Sequence, residues 1–97
     1  MLPGVYLANK KNGTIYYRSN INFSNKHISL GSFSTEEDAH AAYLEASALL
    51  SDFSIDLTNY LSHFSLLSHD KAIVLLNFRD NHRYFKNPIY LRKGYFR

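Results

Sequence analysis

With 97 residues, of which 45% are hydrophobic and 15% aromatic, the sequence is that of one folded domain and not of a disordered chain. It has no cysteine and no apolar stretch of membrane-spanning length. This excludes a disulfide framework and a thiolate metal site, and we expect a cytoplasmic protein without a membrane partner. The net charge of +3 is too small to indicate a class of partner by itself.

The first predicted elements are two strands of a β-hairpin. GVYLANK, from residue 4, and TIYYRSNIN, from residue 14, both alternate in the manner of strands, and an Asn-Gly pair lies between them. A two-residue turn would pair Leu7 with Arg18 and mix the two faces of the sheet. A three-residue loop at residues 11–13 pairs Leu7 with Tyr17 and keeps the faces separate. We therefore predict the three-residue loop.

A third strand and a helix come next. After a turn at residues 23–26, the segment HISLGSF from residue 27 predicts a strand with Ile28 and Leu30 facing inward. Ser34 with Glu37, or Thr35 with Asp38, makes a capping box for a helix. We expect this helix to cover one face of the sheet. The predicted core of the unit is Val5, Leu7, Tyr17, Ile21, Ile28, Leu30, Phe33, Ala39, Ala42 and Tyr43.

Residues 51–97 are predicted as a C-terminal extension that packs on residues 1–50 or leads into a larger protein. Apolar residues at helical spacing predict a helix around Asp56–Ser65. KAIVLLNF, from Lys71, followed by HRYFKNPIYL, predicts a β-hairpin that turns near Asp80 and Asn81. A helix starting at Ser68 is the alternative, because short apolar runs do not separate the two structures. The predicted fold class is α+β: a three-stranded antiparallel sheet packed on one α-helix, with this extension.

The first half of the chain carries a family resemblance. The residues that carry it are Gly4-Val5, Ile21, Leu30-Gly31-Ser32-Phe33, Thr35 and Ala41-Ala42-Tyr43 with Ala46. Over residues 3–50 the chain resembles the Apetala-type, or ethylene-response-factor, DNA-binding domain, as a bacterial or phage-like member. The resemblance implies a domain without enzymatic activity or cofactor, whose uncovered sheet face lies in the major groove of duplex DNA. The family's base-contacting positions fall here on Tyr6, Ala8, Asn20, Asn22, His27 and Ser29, none of which keeps the family's residue.

The candidate DNA-binding residues lie on the predicted uncovered face and its rim. They are Tyr6, Ala8, Lys10, Lys11, Tyr16, Arg18, Asn20, Asn22, Lys26, His27 and Ser29. Asparagine can bond to adenine and arginine to guanine, whereas lysine and tyrosine suit phosphates. Residues 1–33 contain no acid and residues 34–50 contain no base. That asymmetry suits a polyanion, although acids also gather at a helix start because of the helix dipole.

The functional hypothesis is a DNA-targeting module of a transcription regulator or of a protein associated with mobile elements or homing nucleases, located at the bacterial nucleoid. The alternative is a protein-interaction module that keeps the fold without contacting bases, which the missing arginines and the tyrosines favour. Binding of RNA or single strands through the tyrosines is a third possibility. The aromatic and basic segment 83–97 is interpreted as core and strand surface, not as a second binding surface.

Catalytic and metal-binding motifs are not found in the sequence. His63, His69 and Asp70 lie close together in the chain, and Asp80-Asn81-His82 is similar to part of the HNH nuclease motif. Neither set has the ligand spacing that a metal site or nuclease needs. We expect no enzymatic activity, no cofactor and no metal.

Overall fold

A three-stranded sheet and two helices make up this computed structural model, which describes residues 1–56, 58–82 and 84. The strands are β1 (Val5–Asn9), β2 (Ile15–Phe23) and β3 (Lys26–Phe33), antiparallel and in the order β1-β2-β3. The helices are α1 (Glu36–Ser51) and α2 (His69–Asn81), with a single 3-10 turn at Tyr60–Ser62 between them. The predicted α+β class and antiparallel sheet are confirmed.

The β1–β2 hairpin has the predicted register. Leu7 lies opposite Tyr17, and the loop between the strands consists of residues 11–13. The N–H of Gly13 donates to the carbonyl of Lys10 at 2.9 Å, which closes the loop. The β2–β3 connection is tighter, because its two central residues, Ser24 and Asn25, both take left-handed backbone angles (φ 52° and 65°). Such angles match the twist of a two-residue hairpin.

A β-bulge changes the alternation of β3. Ser19 pairs with Gly31 and Asn20 pairs with Ser29, so that Leu30 is an extra residue in β3. Beyond the bulge, Phe33 lies opposite Tyr17 on the inner face and Ser32 lies opposite Arg18 on the outer face. The bulge explains how Leu30 and Phe33 can share a face although they are three positions apart in the chain.

Helix α1 covers the inner face of the sheet. It begins with Thr35, whose side chain accepts a hydrogen bond from the N–H of Asp38 at 3.1 Å, so the second of the two predicted caps is used. Small side chains let the helix lie close to the strands, and Ser19 donates to the carbonyl of Ala39 at 2.7 Å. The buried residues at this contact are Val5, Ile21, Ile28, Leu30, Ala39, Ala42 and Ala46.

The predicted core was wrong at one position. Leu7 is 53% exposed, because it lies on the part of the hairpin that α1 does not cover. Tyr17, Phe33 and Tyr43 are half-buried and not fully enclosed.

Helix α2 replaces the predicted C-terminal hairpin. The hairpin prediction was wrong for its first strand and its turn, whereas the alternative helix starting at Ser68 is confirmed. Ser68 caps α2 by accepting from the N–H of Lys71 at 3.1 Å. Nearly every face of this helix is buried. Its sequence therefore shows no polar stripe at helical spacing that would distinguish it from a strand. The second strand of the predicted hairpin lies largely outside the described residues.

The predicted helix around Asp56–Ser65 was also wrong. In its place the chain follows a loop with the short 3-10 turn. Local side-chain bonds explain this outcome: the Asp56 carboxylate accepts from the N–H of Thr58, and the Asn59 side chain accepts from the N–H of Asp56. Bonds of this kind compete with helix formation.

One hydrophobic core joins the sheet, both helices and the loop between them. Ile21, Ile28, Leu49, Leu75 and Leu76 belong to a single buried cluster. The described part of the extension therefore shares its core with the first fifty residues.

Two charged side chains hold the extension in place. The Arg79 guanidinium is buried, donates to the carbonyls of Leu49 and Ile55 at 2.8 Å, and pairs with Asp80 at 2.9 Å. The Glu45 carboxylate accepts hydrogen bonds from three consecutive backbone N–H groups, those of residues 65–67. Carbonyls at the end of α1 and amides in the loop thus find partners inside the protein.

Candidate functional site

The outer face of the sheet, which α1 does not cover, is here called the open face. It is formed by Tyr6 and Ala8 of β1 with Lys10 just after that strand, Tyr16, Arg18, Asn20 and Asn22 of β2, and His27, Ser29 and Ser32 of β3. Every one of these residues is exposed or half-buried. The structure thus brings together all the candidate residues predicted for the strands' outer face.

Three residues near the hairpin loop form a cationic cluster on the open face. Arg18 donates from Nη2 to the hydroxyl of Tyr16 at 3.0 Å, and its guanidinium carbon lies 5.7 Å from the centre of that ring. On the same ring, the Lys10 ammonium is 6.0 Å from the centre. Within the described part of the chain no carboxylate pairs with either cation. The tyrosine therefore orients Arg18 while most of the five N–H donors of an arginine stay available.

A shallow depression of about 190 Å³ lies at the other end of the open face, where β1 begins. The outer-face residues that line it are Tyr6, Asn20, Asn22 and His27. Nδ1–H of His27 donates to Oδ1 of Asn22 at 2.8 Å. The backbone N–H of Asn20 donates to the carbonyl of Gly4 at 2.9 Å. The side-chain amide of Asn20 has no partner among the described residues.

The charges of the sheet and of α1 have opposite signs. The strands and hairpin loops carry four cations and no acid, whereas α1 on the opposite side carries four acids and no base. Three of these acids, Glu36, Glu37 and Asp38, lie in the first turn of α1, where the helix dipole stabilises negative charge. The open face is consequently positive in relation to α1.

The two predicted rim lysines differ in their surroundings. Lys11 is exposed in the hairpin loop. Lys26 is exposed at the start of β3, and its ammonium lies 4.9 Å from the ring centre of Tyr84, a residue from beyond α2. Tyr84 in turn packs edge-on against Phe78 in the core.

Sequence reasoning missed one residue of the open face, Ser32. Simple alternation from Ile28 and Leu30 would turn Ser32 inward, but the bulge turns it outward beside Arg18. The signal was present in Gly31, because a glycine inside a strand pattern suggests a bulge.

His69, Asp80 and Asn81 make structural contacts with other described residues. Nε2 of His69 bonds to the Tyr60 hydroxyl at 3.0 Å, Asp80 pairs with Arg79, and Asn81 donates to Asn77 at 2.7 Å. No group of three or more metal-ligating side chains is found in residues 1–56, 58–82 and 84. Within the same residues, no helix has the length and apolar character to span a membrane.

Comparison with known proteins adds nothing to these observations. No family model, curated protein or solved structure matches the chain. The geometry and chemistry of the open face are therefore the observations that bear on function.

Proposed function

We propose that this protein binds duplex DNA by placing the open face of its sheet in the major groove. The observation that carries the proposal is an exposed sheet face that bears only positive charge and has Arg18 at its centre. Phosphates attract such a face, and hydrogen-bonding side chains on it can contact base edges. The resemblance of residues 3–50 to the ethylene-response-factor domain family leads to the same proposal.

The size of the sheet supports this arrangement. Strands lie about 4.8 Å apart, so the outer strands of a three-stranded sheet are separated by about 10 Å. The major groove is about 12 Å wide. Polar side chains of short and medium length on β2 and β3 can then reach the base edges, while the lysines of the loops lie near the phosphate backbones.

The salt dependence of binding tests the proposal quantitatively. If Lys10, Lys11, Arg18 and Lys26 all contact phosphates, the logarithm of affinity falls against the logarithm of salt with a slope of about −3.6. Between about 50 and about 200 mM salt this corresponds to a loss of roughly 100-fold in affinity. Fluorescence anisotropy with a labelled duplex of random sequence measures both quantities.

Two variants determine whether the open face is responsible. Arg18→Ala removes one cation from the open face and should make the slope less steep by about 0.9. Glu37→Gln also changes the net charge by one unit, in the opposite direction and on the first turn of α1, and should leave the slope unchanged. Equal effects of the two variants on the slope, or no binding of duplex at the lower salt concentration, would refute the proposal.

A protein-interaction module is the second candidate, and the exposure of apolar side chains favours it. Leu7 and Ile15 are 53% and 54% exposed on the inner face of the hairpin, beyond the start of α1. Such a patch is typical of a surface that contacts another protein. Under this alternative, Arg18→Ala has no effect on partner binding, whereas Leu7→Ser and Ile15→Ser abolish it. A preference for single strands over duplex would instead support stacking on Tyr6.

A further inference from the structure

The end of the open face where β1 begins offers a recognition site for one base. We propose that the side-chain amide of Asn20 recognises adenine in the major groove, and that this contact sets a sequence preference at one base pair. The inference rests on the proposed function and goes beyond it, because it names the base and the residue that selects it.

The first observation is that Asn20 has both hydrogen-bonding groups of its side chain available. It is half-buried in the depression, and neither the oxygen nor the nitrogen of its amide bonds to a described residue. Its backbone is fixed, since its N–H donates to the carbonyl of Gly4. The amide therefore presents one donor and one acceptor side by side from a rigid strand. Adenine shows the complementary pair in the major groove, the N7 acceptor beside the N6 amino donor.

The neighbouring asparagine, Asn22, already has a partner for one of its two side-chain groups. Oδ1 of Asn22 already accepts from His27 at 2.8 Å, so Asn22 directs mainly its amino group outward. An amino group alone can donate to N7 of either purine, so it does not discriminate adenine from guanine. Asn20 is thus the side chain of the pair that can select a base, while the His27–Asn22 bond holds the adjacent wall of the depression.

The spacing along β2 places this contact in relation to Arg18. Two residues of a strand span about 6.7 Å, close to the length of two base-pair steps of about 3.4 Å. With β2 lying along the groove, the phosphate contact of Arg18 and the base contact of Asn20 lie about two base-pair steps apart. The extra residue of the bulge belongs to β3, so the spacing on β2 is not disturbed.

Selection of bound duplexes from a random pool, with the 97-residue chain, tests the inference. The wild-type protein should enrich adenine at one position, and Asn20→Ala should lose that enrichment and bind the selected site about tenfold more weakly. Asn20→Asp keeps the shape of the side chain but offers only acceptors, so its preference should change from adenine to cytosine, whose N4 amino group is a donor. Because it is isosteric with asparagine, this variant also keeps the test valid if the alanine variant fails to fold.

Asn9→Ala is the matched control, because Asn9 is an exposed asparagine of the same sheet on the opposite face. It should retain the wild-type preference. Persistence of the adenine preference in both Asn20 variants would overturn the inference, and so would wild-type binding without preference at any position. Those results leave DNA docking standing, whereas absence of all duplex binding by the wild-type chain would refute both proposals.

Discussion

Substituting Gly4 by alanine should destabilise the fold by crowding the contact between the sheet and α1. Gly4 has φ +78°, and a Cβ placed there would lie 2.5 Å from Cγ of Tyr43 and closer still to Cδ1 of the same ring. Both atoms lie close to the Cβ that joins the ring to α1, so they cannot turn away from the added methyl group. Either α1 or the start of β1 must move. Gly13 is the matched control, since it has φ +86° but no atom lies within 4 Å of the place that an added methyl group would take.

The difference between the two substitutions isolates the packing contribution. Alanine at a left-handed position costs about 1 to 2 kcal/mol, and this applies to both glycines. Overpacking adds about 1 to 3 kcal/mol at Gly4 only. Gly4→Ala should therefore lower the free energy of unfolding by roughly 2 to 5 kcal/mol, a large part of the roughly 5 to 15 kcal/mol typical of a small domain.

Urea denaturation followed by circular dichroism measures both losses. The double variant Gly4→Ala/Tyr43→Ala should be more stable than the sum of its two single effects predicts, because removing the ring relieves the crowding. Equal losses for Gly4→Ala and Gly13→Ala, within about 0.5 kcal/mol, would contradict the close approach of Tyr43 to β1.

Two further predictions concern the extension. Arg79→Met should lower the free energy of unfolding by about 3 to 5 kcal/mol, because it removes a buried cation that bonds to Asp80 and to backbone carbonyls. Arg79→Lys should recover part of this loss. Urea denaturation measures both, and an Arg79→Met variant as stable as wild type would contradict the burial of this pair. Acid should weaken the loop after α1, because hydrogen bonds from the Ser54 hydroxyl and N–H lower the pKa of Asp52, and those from the Thr58 hydroxyl and N–H lower the pKa of Asp56. A carboxyl group whose pKa is lowered by folding stabilises the folded state above its unfolded value of about 3.9 and loses that contribution as the pH falls through the folded value. Unfolding curves measured across this range should accordingly show a smaller pH dependence for Asp52→Asn than for wild type, and identical pH profiles would contradict the assignment.

The sheet was predictable from the sequence because its pattern is local. The requirement that inner and outer residues stay on separate faces was enough to predict the three-residue loop. The alternation of residues along each strand was enough to predict that Arg18, Asn20 and His27 lie on the outer face. The exposure of Leu7 was not predictable, since it depends on where α1 crosses the sheet, and a side chain of the inner face is buried only where the helix lies over it.

The extension was harder to predict because its pattern reflects tertiary contacts. Buried on nearly all sides, α2 shows no helical stripe, and its last turn contains the polar residues Arg79, Asp80 and Asn81, which resemble a turn. The burial of Arg79 depends on carbonyls supplied by α1 and the following loop, about thirty residues earlier in the chain. Nothing in the local sequence indicates partners so distant.

Nuclear magnetic resonance of the isotopically labelled protein, titrated with duplex DNA, tests the central claim most directly. Contact through the open face predicts that the largest shift changes occur at the side-chain N–H groups of Arg18 and Asn20 and at the ring of His27, with little change in α1. Changes confined to α1, or to Leu7 and Ile15 on the inner face of the hairpin, would contradict the account.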